Sequence, residues 1–131
     1  MHELITVTIP VRWGDMDAFN HVNNSVYATY LEELRLRWFA TIPGPWVNED
    51  MGPVVASMRI EYRQTIEWPE ELSVTMACER AGRSSLTLAF WIRSSTESSR
   101  LYAEGSTVLV WIDRRTGKSM ELPVHVREAV A

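Results

Sequence analysis

The sequence predicts an α+β fold: one long helix against an antiparallel sheet of about five strands. Three observations carry this reading. Apolar residues alternate strictly near the start of the chain. A single helical stripe follows a polar turn. The rest reads as four extended segments in succession, and consecutive strands joined by short turns are antiparallel.

In the first segment Ile5, Val7, Ile9, Val11 and Trp13 face one way, while Thr6, Thr8, Pro10 and Arg12 face the other. Period 2 marks a half-buried strand. Pro10 cannot donate to a ladder, which places this strand at an edge or turns that N–H position outward. The segment GDMDAFNHVNN is a polar turn. After it, Tyr27, Tyr30, Leu31, Leu34 and Trp38 recur at helical spacing. Asn23 or Asn24 is the natural N-cap. Glu33 and Arg37 form an i,i+4 pair on the flank. Pro43, Gly44 and Pro45 end the helix near Ala40.

Strands follow over Val54–Ile66, Leu72–Cys78, Leu86–Ile92 and Tyr102–Ile112. Turns fall at Ala81-Gly82, Ser94–Arg100 and Asp113–Gly117. A short helix starts at Pro123. Trp91, Leu109 and Trp111 have the opposite parity to Phe90, Val108 and Val110. The sheet is therefore read as apolar on both faces, with a second subunit covering what the helix does not.

The 131 residues suit one domain, residues 1–131, with a core that needs no disulfide or metal. A hydrophobic fraction of 46% with 23% charged residues excludes disorder. The net charge of −4 argues against binding nucleic acid or an anionic membrane. The lone Cys78, no membrane-length apolar run and no signal-peptide layout lead to a cytoplasmic expectation. Six tryptophans are many for a core this small. Trp38 falls on the helical stripe and Trp13 ends the inward row of the first strand. Trp91 and Trp111 fall on the second sheet face, and Trp46 and Trp68 in loops.

Candidate chemistry concentrates in the turn before the helix, at Asp15, Asp17, His21, Asn23 and Asn24. A helix N-terminus offers unpaired N–H groups and a partial positive charge, which can hold a developing oxyanion. A nearby carboxylate can serve as nucleophile or general base. By themselves these residues read first as turn formers and a cap. No Cys or His cluster has metal-ligand spacing, and Ser84 and Ser85 lack a G-x-S-x-G setting. His2 and His125 lie far from the turn in sequence.

Arg12-Trp13-Gly14-Asp15-Met16-Asp17, His21-Val22-Asn23-Asn24, Tyr27, Glu32-Glu33 and Arg35 together resemble the 4-hydroxybenzoyl-CoA thioesterase-like branch of the hotdog-fold acyl-CoA thioesterases. The family pattern is approximately D-x-D-x-x-G-H-V-N-N-x-x-Y. The match is dense over residues 12–37, and the strand order extends it across the chain. The resemblance implies a hotdog fold, a sheet wrapped around the central helix. It implies hydrolysis of a small-to-medium acyl or aryl thioester of coenzyme A, the coenzyme being part of the substrate and no separate cofactor being needed.

Asp17 would be the nucleophile or general base. The backbone N–H of Asn24, with Asn23 next in line, would polarise the thioester oxygen. Active sites would lie between subunits of a homodimer or homotetramer. Asp15 is a turn residue or a second acid. His21 orients Asp17, contacts substrate or ties the loop, and Tyr27 packs on the sheet or flanks the acyl channel. Arg80, Arg83 and Ser84 are candidates for the nucleotide phosphates; Arg114, Arg115 and Lys118 read as a solvated turn. Asn20 stands where the family usually has Gly, a substitution that left-handed backbone tolerates. Thr65 and Trp68-Pro69 depart from the family hairpin. A non-catalytic acyl-thioester-binding protein and an acyl-carrier-protein thioesterase are the alternatives. The negative charge disfavours docking an acidic carrier, and a dehydratase of this fold resembles a different His-containing motif.

Overall fold

A computed structural model describes all 131 residues. The elements are β1 (His2–Pro10), α1 (Asn24–Phe39), β2 (Met51–Tyr62), β3 (Glu71–Ala81), β4 (Ser85–Ser94), β5 (Leu101–Asp113) and α2 (Val124–Ala129). The five strands form one antiparallel sheet in the order β1-β3-β4-β5-β2. Pro10 accordingly sits on an edge strand, where its missing donor costs nothing. No helix is long and apolar enough to cross a membrane.

α1 has 16 residues and is about 24 Å long. Its stripe of Tyr27, Tyr30, Leu31, Leu34, Trp38 and Phe39 is buried and packs into one core with the inner face of the sheet. The register sets that face. Leu86 pairs with Leu109, Phe90 with Gly105 and Ile92 with Ala103, so even positions of β4 and odd positions of β5 point the same way. Gly105 is required by a close approach. A Cβ there would stand 1.9 Å from the Arg59 carbonyl oxygen on β2 and 3.0 Å from the Phe90 ring.

Three expectations are corrected. Trp111 faces the helix, not a second subunit. It is fully buried within the protomer, its Nε1 donates to the Trp46 carbonyl at 2.8 Å, and its ring meets Phe39 edge-on at 6.0 Å. Parity within β5 alone lacks the register to β4, which puts Leu109 and Trp111 opposite Leu86 and Pro53 on or near the core side. Trp91, Val108 and Val110 remain on the other face. Trp13 is 73% exposed because β1 ends at Pro10 and a 3₁₀ turn over Trp13–Asp15 breaks the alternation. The long strand from Val54 to Ile66 instead runs Met51–Tyr62. The Arg63 and Gln64 N–H groups then share the Tyr102 carbonyl as the chain leaves the edge, and Ile66 turns into the core. Trp46 stacks on Phe39 at 4.2 Å beside this core.

Gly105→Ala should destabilise the protein by about 1–3 kcal/mol or more, because a rigid backbone oxygen cannot yield as a side chain would. Urea unfolding of the two proteins measures it, and equal midpoints would refute the close packing of β2 on β5.

Candidate active site at the start of the helix

The chain between β1 and α1 is organised by backbone pairing. The Asp17 N–H donates to the His21 carbonyl at 2.9 Å, and the Asn20 N–H donates to the Asp17 carbonyl at 3.0 Å. Asn20 holds φ at 66°, the left-handed region that Asn tolerates better than other side chains. Met16 and Val22 bridge the ends of this loop. The Val22 N–H donates to the Ile66 carbonyl at 2.8 Å, tying the loop to the segment after β2.

Asn23 is the N-cap. Its side-chain oxygen accepts the Ser25 N–H at 2.9 Å, and its own N–H donates to the Asp15 carbonyl at 3.0 Å. The Val26 N–H turns back to the Asn23 carbonyl. That leaves the Asn24 N–H without an acceptor in the chain, a free donor at the positive end of the helix. Asp17 is half-buried. Its Oδ1 accepts the Phe19 N–H at 2.9 Å, while Oδ2 has no protein donor.

Asp17, His21, Asn23, Asn24 and Tyr27 line one open cavity of about 510 Å³, within the usual range for ligand sites. The far wall is Tyr62, Arg63, Gln64 and Thr65, with the exposed Phe19 ring at the rim. Periodicity could not single out these residues, because only the sheet order brings the end of β2 beside the start of α1. Tyr27 is buried and meets Tyr62 edge-on at 4.9 Å, and burial pushes its phenol up to about 12. His21 is tied to Asp17 through the main chain; its ring lies 3.9 Å from Glu67.

Arg80, Arg83 and Ser84 are not brought to this cavity. β1 and β3 pair Pro10 with Glu71 and His2 with Cys78, so the β3–β4 turn lies at the opposite end of the sheet from the loop. There the Ser84 carbonyl accepts the Trp111 N–H, and the Arg83 carbonyl accepts the Leu122 N–H. No group of three or more His, Cys, Asp or Glu side chains is placed to hold a metal ion.

Asp15 is a different kind of carboxylate, fully buried. Burial pushes it up, but the donors facing it outweigh this and hold it below the ordinary value: the Arg12 N–H at 2.9 Å, the Arg12 guanidinium at 2.8 and 3.0 Å and the Tyr30 hydroxyl at 2.8 Å.

A carboxylate with one free oxygen and an unpaired helix N–H line the same cavity, a pairing whose chemistry suits acyl transfer. Residues 11–130 match the family model of the thioesterase-like superfamily. The chain belongs to that superfamily and is a thioester hydrolase by class. It is 37% identical to the PA2801 protein of Pseudomonas aeruginosa, covering 99% of this chain and 100% of that one, with a TM-score of 0.93. A thioesterase of Thermus thermophilus, solved with coenzyme A and zinc, is 32% identical over 98% of this chain and 92% of its own, with a TM-score of 0.82. The long-chain acyl-CoA thioesterase FadM of Escherichia coli strain K12 is 28% identical over 92% of each chain.

A carboxyl held below its ordinary value stabilises the fold above the unfolded-state value and loses that contribution as pH falls through the folded-state value. Asp15→Asn should therefore cost about 1–3 kcal/mol at pH 7. The gap to wild type should narrow below about pH 4. Denaturant melts across pH 3–7 read this, and a gap independent of pH would contradict the ionised, donor-saturated Asp15.

Proposed function

We propose that this chain, as one catalytic unit over residues 1–131, hydrolyses acyl-CoA thioesters with Asp17 as the reacting carboxylate and the Asn24 N–H as the oxyanion donor. One observation carries the reading: the free Asp17 oxygen and the unpaired Asn24 N–H belong to residues lining the same cavity. As charge develops on the thioester oxygen, a fixed N–H stabilises it without reorganising.

Two routes use these groups. Asp17 attacks the carbonyl carbon, the coenzyme A thiolate leaves and takes up a proton, and water hydrolyses the resulting anhydride. Alternatively Asp17 takes a proton from water, which attacks the carbonyl carbon; the C–S bond breaks and the proton passes to the leaving coenzyme A thiolate. After a single turnover in ¹⁸O-water, label in the Asp17 carboxylate marks the first route through water attack on the Asp17 carbonyl of the anhydride; attack on the acyl carbon labels the product acid in both routes.

The substrate class is a small-to-medium acyl or aryl thioester of coenzyme A. FadM acts on long-chain acyl-CoA, so the substrate panel extends to long chains. The proposed site is shared in a homodimer or dimer of dimers, with the sheet curled around α1 and the enzyme in the cytoplasm. Arg80, Arg83 and Ser84 meet nucleotide phosphates in this reading only from a second chain, because within one protomer they lie at the far end of the sheet. No separate cofactor takes part.

Asp17→Asn keeps the shape and removes the base and nucleophile. Its kcat should fall by about 10²–10⁴-fold with thiol release as the readout. Unchanged turnover would sink the mechanism, and tight acyl-CoA binding without turnover by wild type would select the binding-protein alternative.

A further inference from the structure

Asp15 lies next to the site without facing it. It borders a separate groove of about 400 Å³ beside β1, with Arg12, Tyr30, Glu33 and Arg37, and is absent from the walls of the Asp17 cavity. Its contacts nevertheless reach the chain beside both reacting groups. The side chain binds Tyr30, on the buried stripe of α1, and the Arg12 main chain just beyond β1. The backbone carbonyl of the same residue takes the Asn23 N–H, which leaves Asn24 as the next amide along and free. Two residues further on, Asp17 begins the loop that closes on His21.

The loop's internal hydrogen bonds fix its shape but not its position relative to the helix. Position comes from the Val11 N–H to Glu70, the Val22 N–H to Ile66, the buried Val11 and Val22 side chains, and the Asp15 carboxylate, which joins Arg12 to Tyr30. Of these only the last is a side-chain hydrogen bond to α1 itself. It is also fully enclosed, since the carboxylate is buried and each oxygen has two donors.

We propose that Asp15 is the positioning residue of the site, clamping the loop to α1 so that the Asp17 carboxylate and the Asn24 N–H are held in register across one reacting carbonyl. This rests on the thioesterase reading above. Tyr30 is the helix half of the clamp and Arg12, just past β1, is the other half. Reaction rates are steep in such alignment: a displacement of about 1 Å can cost on the order of 100-fold. A residue acting in this way changes the chemical step more than the binding of the acyl-CoA.

Steady-state kinetics on Asp15→Asn and Tyr30→Phe, each at a temperature where circular dichroism shows it folded, test the clamp. Asp15→Asn should lower kcat by about 10–100-fold with KM within about twofold. Tyr30→Phe, which leaves the carboxylate on Arg12, should lower kcat by a smaller factor in the same pattern. Glu33→Gln, on the same groove but outside the clamp, should leave both constants as in wild type.

A second readout does not need turnover. Amide hydrogen exchange at Asn23 should speed up in Asp15→Asn, and the Asn24 and Asp17 amide resonances should shift. Folded variants with wild-type kcat, or with unmoved Asn23 exchange and unmoved resonances, would overturn the proposal. A wild type that turns over no thioester would instead refute the thioesterase reading, and the exchange data would still decide the clamp.

Discussion

α1 must bury a continuous apolar stripe on the sheet while its first amide stays open to solvent, and the other features of the molecule follow from that double demand. The stripe from Tyr27 to Phe39 closes over the inner face set by Leu86, Phe90, Leu109 and Trp111. Burial of that apolar surface is the dominant favourable contribution to such a fold. It also determines where the helix begins. Asn23 is the cap because the chain before it is held by Asp15 and Ile66, and the cap in turn satisfies Ser25 while leaving Asn24 free. The same packing that stabilises the domain thereby produces an unpaired donor beside a cavity.

Two carboxylates two residues apart show how environment divides roles. Asp15 is buried and each of its oxygens is saturated by donors, which fits it for holding structure. Asp17 accepts a single local N–H on one oxygen and keeps the other available on the cavity. Only the second can form a new bond or take a proton. A similar division runs through the aromatic residues. Trp111, Trp38 and Phe39 lie in the core, whereas Phe19 and Tyr62 stand exposed around the cavity.

Much of the site was legible because it is local. Asp17, His21, Asn23, Asn24 and Tyr27 fall within eleven consecutive positions, and a turn followed by a helix must keep them together. Arg80, Arg83 and Ser84 were grouped with them through resemblance alone, and the β1–β3 register carries them to the other end of the sheet. Tyr62 to Thr65 were not legible as site residues. Nothing in an extended segment at the end of β2 says which helix terminus it will face.

Local pattern was enough to set the five strands, the helix and the polar loop between β1 and α1, because alternation, helical spacing and capping act over a few residues. Which face β5 turned inward was settled only in the folded chain. Parity within β5 is a property of its sequence, but its direction comes from pairing with β4, and that placed Trp111 in the core. Folding likewise sealed Asp15 against Tyr30, fifteen residues on, and brought the end of β2 in to complete the cavity. Both outcomes need contacts between segments distant in sequence, and local pattern carries no information about those.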